Sequence, residues 1–302
     1  MEMLINIAAF MFVAATPLTL AAIGETVVER AGVLNLGVEG MMIMGAIVGF
    51  MVAVNSGSPV LGLVMAAAGG MGLSLIFAFV TQVALANQVA SGLALTLFGL
   101  GLSALLGQGY QGVKPPAFPQ GDIPLLADIP VLGPILFQQD PVVYLAIALT
   151  VAVFVFLRFS RAGLVLRAVG ENHDAAHALG YKVVRIRIAA IAFGGACAGL
   201  GGAYISLIRV PQWTEGMTAG IGWIALALVV FGAWRPLLVG LGACIFGGIE
   251  AVQLNLQAAG VAIPVSLLAM SPYLITILVL VIMSAVRTGA PASLGRPFHA
   301  SS

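Results

Sequence analysis

Apolar runs of roughly twenty residues follow one another along this chain, and nearly every charged side chain falls between them rather than within. A hydrocarbon core of ~30 Å takes a helix of about 20 apolar residues. Lipid offers no partner for backbone N–H and C=O groups, so open strands are excluded at that depth. With 61% hydrophobic and 8% charged residues, a soluble globule is excluded too. The expectation is an all-α polytopic membrane protein, one domain over 1–302, with nine spans at 3–24, 33–54, 60–85, 89–107, 141–158, 188–208, 219–234, 236–256 and 270–286. The count carries a margin of about one either way, because the first run is interrupted by Pro17 and the seventh is short. The 38 glycines suit close approach of helix backbones, and the glycine-rich stretch 194–202 reads as packing rather than nucleotide binding.

Orientation follows from Lys and Arg in the short connections. With 160–187 placed in the cytoplasm, Arg30, Arg158, Arg161, Arg167, Lys182, Arg185, Arg187, Arg235, Arg287 and Arg296 fall inside, and only Lys114 and Arg209 outside. The N-terminus then lies outside and the 288–302 tail inside, where it is expected to be disordered. The Pro-rich connection 108–140 reads as a folded external loop. In 160–187, Leu164, Ala168, Ala175, Ala176 and Leu179 recur near helical spacing and Gly170 and Gly180 punctuate them, which predicts short helices lying against another surface.

Several chemistries lack their residues. The only lysines are Lys114 and Lys182, so there is no P-loop, and a net charge of +1 gives no basic stripe for nucleic acid. His173 and His177 stand at i and i+4 without a visible third ligand, so they read as a solvated helix face rather than a metal site. Cys197 and Cys244 lie in apolar runs and behave as small hydrophobes. No catalytic set can be assembled, and no cofactor is expected in this chain. What remains is a pair of polar stripes inside spans, where such groups are costly and tend to mark a pathway. Asn35 and Glu39 stand at i and i+4, with a shallow Glu39–Arg30 pair as the alternative role; Glu250, Gln253 and Gln257 follow i, i+3 and i+7.

Three motifs then carry a resemblance: ERAGVLNLGVEGMMIMGA at 29–46, RAVGENHDAAHALG at 167–180 and MTAGIGWIALALVVFG at 217–232. In this order they resemble ABC transporter permeases of the branched-chain amino acid and ribose type, nearest to the nucleoside and simple-sugar subgroup. The resemblance implies a type II-like importer bundle in the bacterial inner membrane. Its partners would be a second permease subunit, a paralogue in a heterodimer, an ATP-binding cassette protein that uses ATP and Mg, and an external substrate-binding lipoprotein or periplasmic protein. It also implies that 167–180 is a coupling segment, with Glu171, Asn172, Ala175, Ala176, Leu179 and Gly180 contacting the ATPase and the flanking arginines solvated. The solute expected is a nucleoside, with a simple sugar or riboflavin as alternatives, along a route lined by Asn35, Glu39, Phe98, Trp223, Glu250 and Gln253. The reading from a different class is a proton-coupled secondary transporter in which Glu39 or Glu250 titrates.

Overall fold

The computed structural model describes residues 2–118, 129, 132–258, 270, 274, 277, 281 and 289–299. The chain is built from α1 (Glu2–Arg30), α2 (Val38–Ser56), α3 (Pro59–Ala78), α4 (Gln88–Gly107), α5 (Pro141–Phe159), α6 (Arg161–Glu171), α7 (His173–Ala178), α8 (Val183–Tyr204), α9 (Ile221–Phe231) and α10 (Pro236–Ala258). Short π turns prolong α3 to Val83 and α8 to Arg209. Among the described residues, seven helices are long and apolar enough to cross a membrane, and with them the chain is a multi-pass membrane protein. The first predicted span is one helix that continues through Pro17. The seventh is not a full crossing, since α9 has only 11 residues and is about 17 Å long. The ninth, 270–286, lies outside the described residues apart from isolated positions.

The centre of the bundle is α2, packed against α3, α4 and α8, while α1 packs against α8 and α10. Met41, Met42, Ile43, Ile47 and Phe50 are all fully buried, so α2 is apolar and covered on nearly every side. Small residues set the spacing. A Cβ on Gly45 would collide with the backbone of Gly199, and one on Gly70 with the carbonyl of Gly195, so α2, α3 and α8 touch backbone to backbone. Both Gly-x-x-x-Gly pairs, 45/49 and 195/199, therefore serve packing within this chain.

The α1–α2 connection departs from the expected span at 33–54. Residues 31–37 are irregular and turn back into the bundle: the Asn35 Nδ2 donates to Glu25 Oε2 at 3.1 Å, beside α1 well before its end. Irregular backbone at that depth survives only where protein supplies its partners. Leu34 N donates to Gln88 Oε1 at 2.8 Å, Gly37 N to Asn35 Oδ1 at 3.0 Å, and Thr96 Oγ1 to the Leu36 carbonyl at 3.1 Å. In consequence α2 begins inside the bundle, and its first turn carries Glu39.

Candidate functional site

Glu39 faces the start of α9. Its Oε1 accepts from Thr218 Oγ1 at 2.5 Å and from Gly220 N at 2.9 Å, and its Oε2 accepts from Gly222 N at 2.7 Å. The carboxylate thus caps a half-length helix whose first N–H groups would otherwise have no partner, and its negative charge meets the positive end of the helix dipole. The sequence permits the approach because Gly222 packs on the Glu39 backbone, where a Cβ would come within 2.6 Å of its Cα. Gly220 adopts φ +87, which a side chain would strain. At its other end α9 is tied to α1: Trp234 Nε1 donates to Glu29 Oε2 at 2.5 Å, and Arg30 Nε donates to the Trp234 carbonyl at 3.0 Å. The seventh expected span is therefore the short helix α9, preceded by an irregular segment, 210–220. Discontinuous helices of this kind place backbone polar groups at the level where transport proteins bind solute.

A cleft of about 330 Å³ opens beside that break. Its wall combines Met217, Ala219, Ile221 and Ile224 from the α9 side with Ile205, Phe246, Glu250 and Gln253. Arg209, at the end of the α8 extension, forms an ion pair with Glu250, and the two side chains are 14% and 24% exposed. The cleft is thus mostly apolar, with one neutralised charge pair and one amide. Such a surface suits a small solute that has polar edges and no net charge.

At the arginine-bearing end, α6 and α7 form a folded apron. Ser160 caps α6, with Gly163 N donating to its Oγ at 2.9 Å. The Asn172 side chain breaks α6 from α7 by accepting from Ala175 N at 2.9 Å. A Schellman end follows at Gly180 (φ +88): Gly180 N donates to the His177 carbonyl and Tyr181 N to the Ala176 carbonyl. Residues 289–299 are ordered and lie across this apron. Ser293 N donates to the Gly170 carbonyl at 2.9 Å, Gly295 N to the Gly32 carbonyl at 3.2 Å, and the Phe298 ring meets both His173 and His177 edge to face. Arg187, fully buried, joins the three segments: Nε donates to the Ala31 carbonyl, Nη1 to the Arg296 carbonyl, and Nη2 lies 3.2 Å from His173 Nδ1. Burial, then the nearby Arg187 charge, holds the His173 imidazole below its ordinary pKa, which suits an Nδ1 that accepts.

Residues 7–286 match the family described as the permease component of branched-chain amino acid transport systems. The chain belongs to that family. Its relatives include TsgC13 of Haloferax volcanii, an ABC transporter permease protein whose name assigns it glucose only provisionally, 43% identical over 83% of this chain and 77% of the relative. The guanosine ABC transporter permease protein NupQ of Bacillus subtilis is 35% identical over 94% of this chain and 93% of its own. The nucleoside ABC transporter permease protein NupC of Lactococcus lactis subsp. cremoris is 33% identical, covering 91% and 90%. No solved structure matches the chain. It is a permease subunit of an ABC transporter, a class that works with ATPase and substrate-binding partners.

The permease distributes its predicted residues unevenly. Asn35 is wholly buried, with its side-chain oxygen in the turn at Gly37 and its amide on Glu25, and Glu39 is spent on α9; neither faces the cleft, and Arg30 is turned to Trp234 instead of Glu39. Glu250 and Gln253 do line the cleft. Phe98 and Trp223 are about half exposed on the bundle surface, at 52% and 49%. Of the residues expected to contact the ATPase, Glu171, Asn172, Ala175, Leu179 and Gly180 are exposed. Ala176 corrects the expectation, because it is buried at 3% in a cluster with Val169, Val183 and Phe298. The flanking Arg187 is likewise buried rather than solvated, and the tail is ordered over 289–299 rather than disordered. Glu25, Glu29, Thr218 and Trp234, the partners of Asn35, Glu39 and one another, lie outside the polar stripes that the sequence singles out. The available signal is the i and i+4 spacing of Glu25 and Glu29 directly after the first apolar run, which extends that helix to Arg30.

Proposed function

We propose that this permease imports a nucleoside, released from an external binding protein, along a route past the cleft at the α9 break. What supports the nucleoside is that NupQ and NupC match over at least nine-tenths of both chains. The cleft suits a nucleoside in kind, since the Phe246 ring and the Ile and Met side chains give a base an apolar wall and Gln253 gives it an amide. A second permease subunit, a paralogue, would complete the wall carrying Phe98 and Trp223. The protein acts as a carrier without catalysis of its own, sits in the cytoplasmic membrane, and keeps its arginine-bearing end and C-terminus in the cytoplasm.

In this reading the apron meets the ATPase. Leu179 is 78% exposed at the tip of α7, with Ala175 and Ala178 beside it, a small apolar knob suited to a groove. ATP-driven closure of the ATPase pair would push this knob. Arg187 would carry the motion to the α1–α2 connection, and so to α2 and Glu39. The second solute reading, a hexose, is favoured by the 43% identity to TsgC13. The deciding experiment is uptake by the permease assembled with its ATPase and binding protein in vesicles, with guanosine, uridine, glucose and ribose compared. Accumulation of a nucleoside in preference to both sugars is expected. Hexose accumulation would transfer the assignment to the second reading, and uptake by the permease alone on a proton gradient would overturn both.

A further inference from the structure

A second cleft, of about 650 Å³, lies at the arginine-bearing end between α1, α5, α6 and α10. Its rim holds four guanidinium groups, Arg30, Arg158, Arg167 and Arg235. Arg30 ends its span, Arg158 lies in the last turn of α5, and Arg235 directly precedes α10, so these three stand where helices leave the hydrocarbon. Arg167 reaches in from α6, and its Nε is buried without a hydrogen-bond partner. Among the described residues, no carboxylate lies within ion-pairing distance of any of the four. Glu171 is the acidic neighbour acting on Arg30, against the like charges of Arg167 and Arg235. The other lining side chains are mostly apolar, among them Phe154, Leu157, Leu237 and Leu238, with Leu237 and Leu238 47% and 39% exposed.

We propose that this cleft binds an anionic phospholipid, with its phosphate among Arg30, Arg158, Arg167 and Arg235 and an acyl chain along Phe154, Leu157, Leu237 and Leu238. Clustered like charges at a low-dielectric boundary call for a counter-anion, and guanidinium groups match phosphate oxygens in geometry as well as charge. Basic pockets between membrane helices are known hosts for such headgroups. A free phosphate would satisfy the rim but leave the apolar wall unused. The lipid uses both halves, and its headgroup sits at the depth where these spans end. The inference is independent of the solute and of the ATPase contact.

The test uses the purified full-length permease in neutral detergent, titrated with phosphatidylglycerol, phosphatidylcholine or inorganic phosphate, and read by native mass spectrometry and thermal unfolding. Phosphatidylglycerol is expected to be retained and to raise the melting temperature, phosphatidylcholine to bind far more weakly, and phosphate alone to do neither. R158Q/R235Q changes two exposed side chains that need not disturb folding, and should weaken phosphatidylglycerol by about 25-fold. R161Q, outside the cleft, should leave it unchanged. Equal retention of both lipids, or an unchanged preference in R158Q/R235Q, would overturn the proposal. Stabilisation by phosphate alone would make this a small-anion site. Expulsion of the lipid when the ATPase is added would mean that a protein partner occupies the cleft.

Discussion

Glu39 and Glu250 are both single carboxylates in apolar helices, yet their surroundings give them opposite vulnerabilities. Glu39→Ala removes three acceptor contacts from the start of α9 and leaves Thr218 and two backbone N–H groups without their partner. Hydrogen bonds to a charged group are worth about 1.5–3 kcal/mol each, so a loss of at least ~3 kcal/mol is expected in detergent unfolding, with uptake abolished. An unchanged melting temperature would show that α9 does not depend on this cap. Glu250→Gln instead strands the Arg209 charge. Breaking one side of a largely buried pair costs more than removing both, so the Arg209→Gln/Glu250→Gln double variant should be more stable than either single one. The same cycle read by uptake separates packing from transport: full activity in the double variant would make the pair structural. The sequence revealed that these groups were unusual but not what each one faces. Asn35 is the plainest case, an intramembrane amide whose partners, Glu25 and Gly37, lie in a turn that no periodicity announces.

The short elements of the apron behave as a unit with the tail. Ala176→Arg would force a charge between Val169, Val183 and Phe298, so it should release residues 289–299 as well as abolish transport. It therefore tests folding before it tests docking. Leu179→Asp is the cleaner variant because its side chain is exposed; ATPase association should fall at least tenfold with the melting temperature unchanged, and normal association would remove Leu179 from the interface. The His173 contact adds a pH dependence. With its folded pKa below the ordinary ~6.5, the released state takes up a proton first as pH falls, so the docked tail loses stability below about pH 6.5 and is unaffected above it. Hydrogen exchange of 290–299 should be faster at pH 5.5 than at pH 7.5, and His173→Gln should flatten the difference. The short helices at 160–187 were legible from spacing, and the Gly180 stop from its residue type. The tail was not, because several of its anchors are backbone carbonyls at Gly32, Gly170 and Glu171, which any sequence would offer, and the side chains that also hold it, Arg187 and Phe298, find their partners only across long sequence separations.

For the bundle as a whole, the contact between α2, α3 and α8 is the seam on which the rest assembles. Gly199→Val would drive side-chain atoms into the backbones of Ala66 and Gly70, so little folded protein is expected from it. Gly72→Ala, on the same α3 but with nothing within 4 Å, should fold and transport normally. Similar loss in both would mean that glycine content, rather than this contact, matters. The sequence alone decided that the chain is helical and crosses a membrane several times, because lipid leaves the backbone no other way to satisfy its polar groups and the apolar runs have the necessary length. Local chemistry likewise set several helix ends, at Ser160, Asn172 and Gly180. Only the tertiary structure decided that the seventh expected span shrinks to the short helix α9, that Glu39 closes its open end, and that Arg187 is buried beneath the tail. Each of those depends on a partner distant in the chain, and a polar group's role in an apolar medium is fixed by whichever partner packing brings to it.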